Sequence, residues 1–143
     1  MKKVSKKLTN LIKGTLAVSL LVGLSLSVSA QDKPKGTPWA APAADMKIKN
    51  PVKSDESTLK AGKDLYATHC KSCHGAKGQG DGAKAEKIDI SCGDFSGPEF
   101  AKISDGEAYW KTTEGRKPMP SFKEKLSDNE RWTVVTYLRS LGK

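Results

Sequence analysis

Material for a self-sufficient core is scarce in this 143-residue chain: aromatic residues make up 6% and hydrophobic residues 36%. That is lean for a stable globule, so a buried group other than side chains is expected to complete the interior. Alternation of apolar and polar residues, the mark of a half-buried strand, is missing throughout, which disfavours a sheet and leaves an all-α class. A membrane-spanning run is missing as well, because the most apolar stretch, residues 16–28, falls short of the roughly 20 residues a spanning helix needs. Gly75, Gly78, Gly80 and Gly82 follow no strand and fit no G-x-x-x-x-G-K-[ST] pattern, so they do not form a phosphate loop.

Acidic residues are absent from the first 30 positions, which hold Lys2, Lys3, Lys6, Lys7 and Lys13, then the apolar stretch, then Val28-Ser29-Ala30 with small residues suited to a signal peptidase. Residues 1–30 are therefore expected to be a cleaved signal peptide. No cysteine follows the apolar stretch closely, so lipid attachment is not expected and the exported product should be soluble. More than half of the formal net charge of +9 belongs to those five lysines, and a nucleic-acid role loses its motive. The remaining lysines are scattered; most read as solvated surface, with a docking face for an acidic partner as the functional reading.

Residues 31–56 hold Pro34, Pro38, Pro42 and Pro51 among small and charged residues, and proline removes a donor and fixes extended backbone. They read as a tether or a draped arm, with Trp39 able to pack onto the domain. Residues 57–143 are the expected domain, of a size that supports one modest core. A first helix is expected from near Ser57, where Leu59, Leu65 and Tyr66 share a face and run toward His69 and Cys70. Gly62 lies near that stripe; glycine costs roughly 1 kcal/mol against alanine in a helix but lets another helix approach closely. A short helix is expected over residues 104–113. Ser127-Asp128-Asn129-Glu130 forms a capping box, and Trp132, Val135, Leu138 and Leu141 follow at three-residue steps, predicting a last helix that ends at Gly142.

The chemistry is carried by Cys70-Lys71-Ser72-Cys73-His74, the C-x-x-C-H signature of c-type haem attachment. Two thiols three positions apart on a turn of helix can each add to one vinyl group of a single haem, while the adjacent imidazole turns onto the iron as proximal ligand. Two rivals carry less weight. A redox disulfide of the C-x-x-C type usually follows a strand in a βαβ unit, which is lacking here. A zinc site of Cys70, Cys73, His74 and Cys92 would leave Cys92 without a spaced partner.

The sixth iron ligand must come from elsewhere. Of the three methionines, Met1 belongs to the expected signal and Met46 to the Pro-rich arm, which leaves Met119. Pro118 and Pro120 flank it and favour extended backbone, a setting that holds a thioether in place without a helix.

The order of first helix, C-x-x-C-H-G, glycine-rich loop, Pro-Met-Pro-Ser-Phe and last helix resembles a class I monohaem cytochrome c over residues 57–141. The resemblance implies a cytochrome c-like fold of three to five helices around one covalently bound haem c, attached through Cys70 and Cys73, with His74 proximal and Met119 distal. It implies that the first and last helices cross beside the haem, Gly62, Leu65 and Tyr66 facing Trp132, Val135, Tyr137 and Leu138. Trp110, Arg116 and Lys117 map less securely, as candidates to approach a haem propionate. The glycine-rich loop is expected to wrap the haem edge. Cys92 has no place in the family pattern and reads as a small buried hydrophobe, or else as an intermolecular disulfide candidate.

The expected function is single-electron transfer in an exported respiratory or redox chain, not enzymatic catalysis. The periplasm is the expected compartment, since the family attaches haem outside the cytoplasm. Redox proteins are the expected donor and acceptor, the protein working as a monomer, free or docked to a membrane redox complex. The alternatives are a haem-containing redox enzyme subunit and a gas or ligand sensor with a displaceable distal methionine.

Overall fold

The structure, a computed structural model, describes residues 33–142; the expected signal peptide lies outside them. Among the described residues the chain is helical with no strand. Five helices follow in order: α1 (Glu56–His69), α2 (Lys71–His74), α3 (Pro98–Ala101), α4 (Asp105–Glu114) and α5 (Asp128–Leu138). Short 3-10 turns lie at Asp45–Lys47 and Ala85–Lys87. No helix among the described residues is long and apolar enough to cross a membrane.

Helix α1 starts where Asp55 accepts the Thr58 amide at 2.9 Å, satisfying one of the amides left unpaired at a helix start. Helix α5 starts on the expected capping box: Ser127 Oγ accepts from Glu130 N, and Ser127 N donates to Glu130 Oε2 at 2.8 Å. It ends at Leu138 rather than Gly142. Beyond Leu138 the backbone tightens to three-residue bonds, Ser140 N to Tyr137 O and Leu141 N to Leu138 O, so the apolar period outlasts the α-helix by one 3-10-like turn. Helix α4 begins on Ser104, whose hydroxyl accepts the Glu107 amide, close to the expected bounds.

The core forms where α1 crosses α5. Val134 and Val135 are fully buried there with Tyr66, whose ring lies 5.3 Å from that of Tyr137. Gly62 makes the crossing possible: a Cβ at this position would sit 2.6 Å from Tyr137 Cβ and 2.7 Å from the Thr133 carbonyl oxygen. Backbone and a Cβ cannot move aside as a flexible side chain would. Gly62→Ala is therefore expected to destabilise the protein by about 1–3 kcal/mol despite alanine's better helix propensity. A urea titration of the protein checks this, and an unchanged or raised midpoint would contradict it.

On the other side of α5, Trp132 stacks on Tyr109 of α4 with ring centroids 3.9 Å apart. Arg131 is almost fully buried beside that pair, donating to the Leu126, Lys123 and Tyr109 oxygens and pairing with Asp128. Arg139 closes the far end, reaching Asp105 Oδ1 at 2.7 Å and the Phe100 carbonyl at 3.0 Å, with its guanidinium over the Phe100 ring. That ties α3, which the sequence pattern did not predict, to α5.

Residues 33–54 lie across the helices. Lys33 Nζ donates to the carbonyls of Ala85 and Ile88, both at 2.6 Å, and Ser91 N donates to Pro34 O. Further along, Asn50 Nδ2 donates to Thr136 Oγ1 at 2.9 Å on α5, and Trp39 packs against Trp110.

Candidate functional site

Between the α1–α5 crossing, α2, the segment 88–100 and the turn after α4 lies a cavity of about 870 Å³. Cys70, Cys73, His74 and Met119 all line it. Their placement follows from local structure. Cys70 is the C-cap of α1, its amide bonded to Tyr66 O, and the chain turns at once into the four-residue α2 that carries Cys73 and His74. Tyr66 steadies this turn from beneath, its buried hydroxyl donating to Gly75 O at 2.7 Å.

Met119 is delivered to the cavity by a separate segment, the turn after α4. Helix α4 ends at Gly115, whose φ of +64° is reached cheaply only by glycine, and a Cβ there would lie 2.4 Å from Ser121 N. The resulting tight turn is closed by Met119 N donating to Arg116 O at 2.8 Å and Phe122 N donating to Thr112 O. Together with Ser121 Oγ donating to Thr113 O, these bonds return the chain to α4 and leave Met119 half-buried at the cavity.

Electrostatics sort the donors. Burial pushes the Cys70 thiol up to about 12, the neighbouring Cys73 adding to the effect. Burial pushes the His74 imidazole down to about 4, opposed only by the Cys92 backbone. At neutral pH His74 is accordingly an uncharged imidazole, the form able to ligate a metal. Its Nδ1 is buried without a hydrogen-bond partner, and the nearby Cys92 backbone favours the charged ring. Phe95 stacks on the ring with centroids 4.5 Å apart and holds its plane.

These residues fit a haem. Two thiols and a neutral imidazole share one wall of a space large enough for a macrocycle, a thioether sits on the same cavity, and most of the remaining wall is apolar, including Ile88, Ile90, Phe100, Phe122 and Leu138. Among the described residues no group of three or more His, Cys, Asp or Glu side chains is gathered to hold a metal ion, which removes the geometry a zinc site would need.

Some placements differ from expectation. The loop 75–82 reaches the cavity only through Gln79; Gly80 N bonds to His74 O and Gly82 N to Cys73 O at the end of α2, while Gly78 lies against Phe95 and Leu141. Backbone amides, not cofactor contact, set its path. Cys92 is half-buried on the cavity wall, not a core residue. Of the three propionate candidates only Arg116 lines the cavity. Phe95, Ile88, Ile90 and Trp39 were not foreseen as wall residues, since a lone aromatic or aliphatic residue in a loop carries no periodic signal.

Residues 57–138 match the family described as cytochrome c oxidase, cbb3-type, subunit III. The chain is similar to a chain of the Kuenenia stuttgartiensis reducing HAO-like protein complex Kustc0457/Kustc0458, with 35% identity and a TM-score of 0.60 over 71% of this chain and 50% of that one. It thus spans half the length of that relative. It is also similar to the KustC0563 c-type cytochrome, with 34% identity and a TM-score of 0.51 over 57% of this chain and 98% of that one. Cytochrome cL from Methylophaga aminisulfidivorans MPT shares the fold at 22% identity, with a TM-score of 0.51 over 79% of this chain and 73% of that one. No curated protein matches.

Proposed function

The chain belongs to the cytochrome c family of cbb3-type cytochrome c oxidase subunit III, and from that premise we propose that it is an exported single-electron carrier holding one covalent haem c with His74 and Met119 as axial ligands. The observation that carries the reading is the convergence of Cys70, Cys73, His74 and Met119 on one largely apolar cavity. Bound there, the haem supplies an iron that accepts and returns one electron at a time.

The chain's own residues set the conditions for that exchange. Cys70 and Cys73 would tether the group through their thiols, and His74 and Met119 would supply the remaining donors that hold it. His74 stays neutral because burial disfavours its charged form, and Phe95 fixes the ring plane. Met119, a weak donor, favours the reduced state relative to a second histidine, and the apolar walls limit water, which acts in the same direction. With His74 and Met119 both holding the group, no side of it would be left to activate a substrate. The protein is proposed to lie in the periplasm and to exchange electrons with separate redox proteins.

A second reading has one observation in its favour: a relative at 35% identity belongs to a larger protein complex described as reducing and HAO-like. In that reading the domain relays electrons as one subunit of an enzyme, or gives up Met119 to a ligand. The test is an optical spectrum, oxidised and reduced, of the protein produced with a c-type haem maturation system. One haem per chain retained through denaturation, a far-red sulfur-to-iron band and poor carbon monoxide binding by the reduced protein are expected. Covalent haem without the band, and ready carbon monoxide binding, would favour the enzyme or sensor reading; no retained haem would refute both.

A further inference from the structure

The Pro-rich arm does more than cover the domain. We propose that Trp39 and Arg116 are positioning residues for Met119: the arm grips Arg116, and Arg116 transmits that hold to the methionine turn. This inference rests on the axial role of Met119 proposed above.

Arg116 reaches a segment far away in sequence. Its Nη1 donates to Thr37 O at 3.0 Å and Thr37 Oγ1 at 3.2 Å, with Pro38 O at 3.4 Å, and its guanidinium lies 4.7 Å from the centre of the Trp39 ring. Trp39 is itself seated on α4: its ring stands 6.0 Å from Trp110, and Lys111 lies over it at 5.8 Å. Lys111 is fixed in turn by Glu107 at 2.6 Å. The arm is anchored on both sides of this contact, by Lys33 and Pro34 on the segment 85–91 and by Asn50 on α5. It therefore presents a fixed surface, not a loose tail.

The other half of the link is backbone. Arg116 O accepts Met119 N at 2.8 Å, and the two residues form the isolated bridge that shapes the turn. The base of the turn is bonded to α4 through Ser121 and Phe122. In its leading limb Lys117 and Pro118 are exposed, while Met119 at its end packs against the core cluster. At the start of that limb the Arg116 side chain adds a second hold, on the arm. Trp39 and Arg116 both line the cavity, so the grip is made at its wall.

A cation–π contact and shared hydrogen bonds of this kind, released together, shift a two-state equilibrium by about tenfold. In the haem-loaded protein Arg116→Ala, which releases all of these contacts, is expected to weaken the far-red sulfur-to-iron band and to raise the affinity of the reduced protein for carbon monoxide about tenfold, and Trp39→Ala, which releases the cation–π contact alone, to do the same by about threefold. Trp39→Phe and Arg116→Lys should restore most of the band, because each keeps a ring or a cation at the contact. Neither side chain belongs to the buried core, so both alanine variants should fold; amide exchange faster at Met119 but unchanged at Val135 is the second readout. A band lost in Met119→Ala yet unmoved in both alanine variants, with Met119 exchange unchanged, would overturn the positioning role alone. A band absent from the unaltered protein, or insensitive to Met119→Ala, would overturn the axial role of Met119 and this inference with it.

Discussion

Replacing both Cys70 and Cys73 with alanine is expected to abolish haem retention through denaturation and to remove most of the protein's stability once the freed haem is extracted. The first effect is chemical: no other cysteine lies within the C-x-x-C-H turn, and Cys92 sits on a different segment. The second follows from the size of the cavity. Emptied, a space of about 870 Å³ leaves its apolar wall residues without packing partners, and typical folded domains are stable by only ~5–15 kcal/mol. The buried residues that remain, chiefly Tyr66, Val134, Val135 and Leu138 at the helix crossing, are too few to offset such a void. Haem staining after denaturing electrophoresis reads the first effect. Urea unfolding of the haem-extracted variant followed by circular dichroism reads the second, and a cooperative transition at the midpoint of the haem-loaded protein would contradict it.

This dependence explains why the composition looked deficient and why the parts that were legible were the regular ones. Helices α1 and α5 announce themselves through apolar spacing, the Ser127–Glu130 capping box and a glycine placed where two backbones meet. The attachment motif is local, so Cys70, Cys73 and His74 could be named from five consecutive residues. Met119 needed elimination as well as its proline neighbours, and the structure places it on the same cavity as the other three. The cavity wall was not legible. Ile88, Ile90 and Phe95 lie in a segment whose course is set by isolated bonds such as Phe95 N to Gly78 O at 2.6 Å, and such bonds leave no periodic trace. The arm was ambiguous for the same reason: proline content marks extended backbone but does not say what it lies on. Its course depends on single side chains, Lys33, Trp39 and Asn50, finding partners more than fifty residues away.

Met119→Ala should leave haem attachment intact while changing the site's chemistry from carrier to ligand binder. Cys70, Cys73 and His74 lie on the α1–α2 wall, and none depends on the turn after α4, so covalent loading should proceed. With Met119 as the proposed axial ligand, loss of the thioether would remove a donor that favours the reduced state and would admit water to an otherwise largely apolar wall. The midpoint potential is expected to fall by on the order of 0.1 V, a modest part of the roughly 0.8 V range that axial ligands and their surroundings command. The far-red sulfur-to-iron band should vanish, and the reduced protein should bind carbon monoxide readily. Nearby side chains offer poor substitutes: His69 ends α1 beside Cys70 with its ring against Phe122, and Lys111 is paired with Glu107. If one of them did take the vacated position, the potential would still fall but carbon monoxide would bind poorly, so the two measurements together separate an open site from a replaced ligand. A potential, a spectrum and a carbon monoxide affinity all unchanged in Met119→Ala would mean that Met119 only fills the cavity wall and that the distal ligand lies elsewhere.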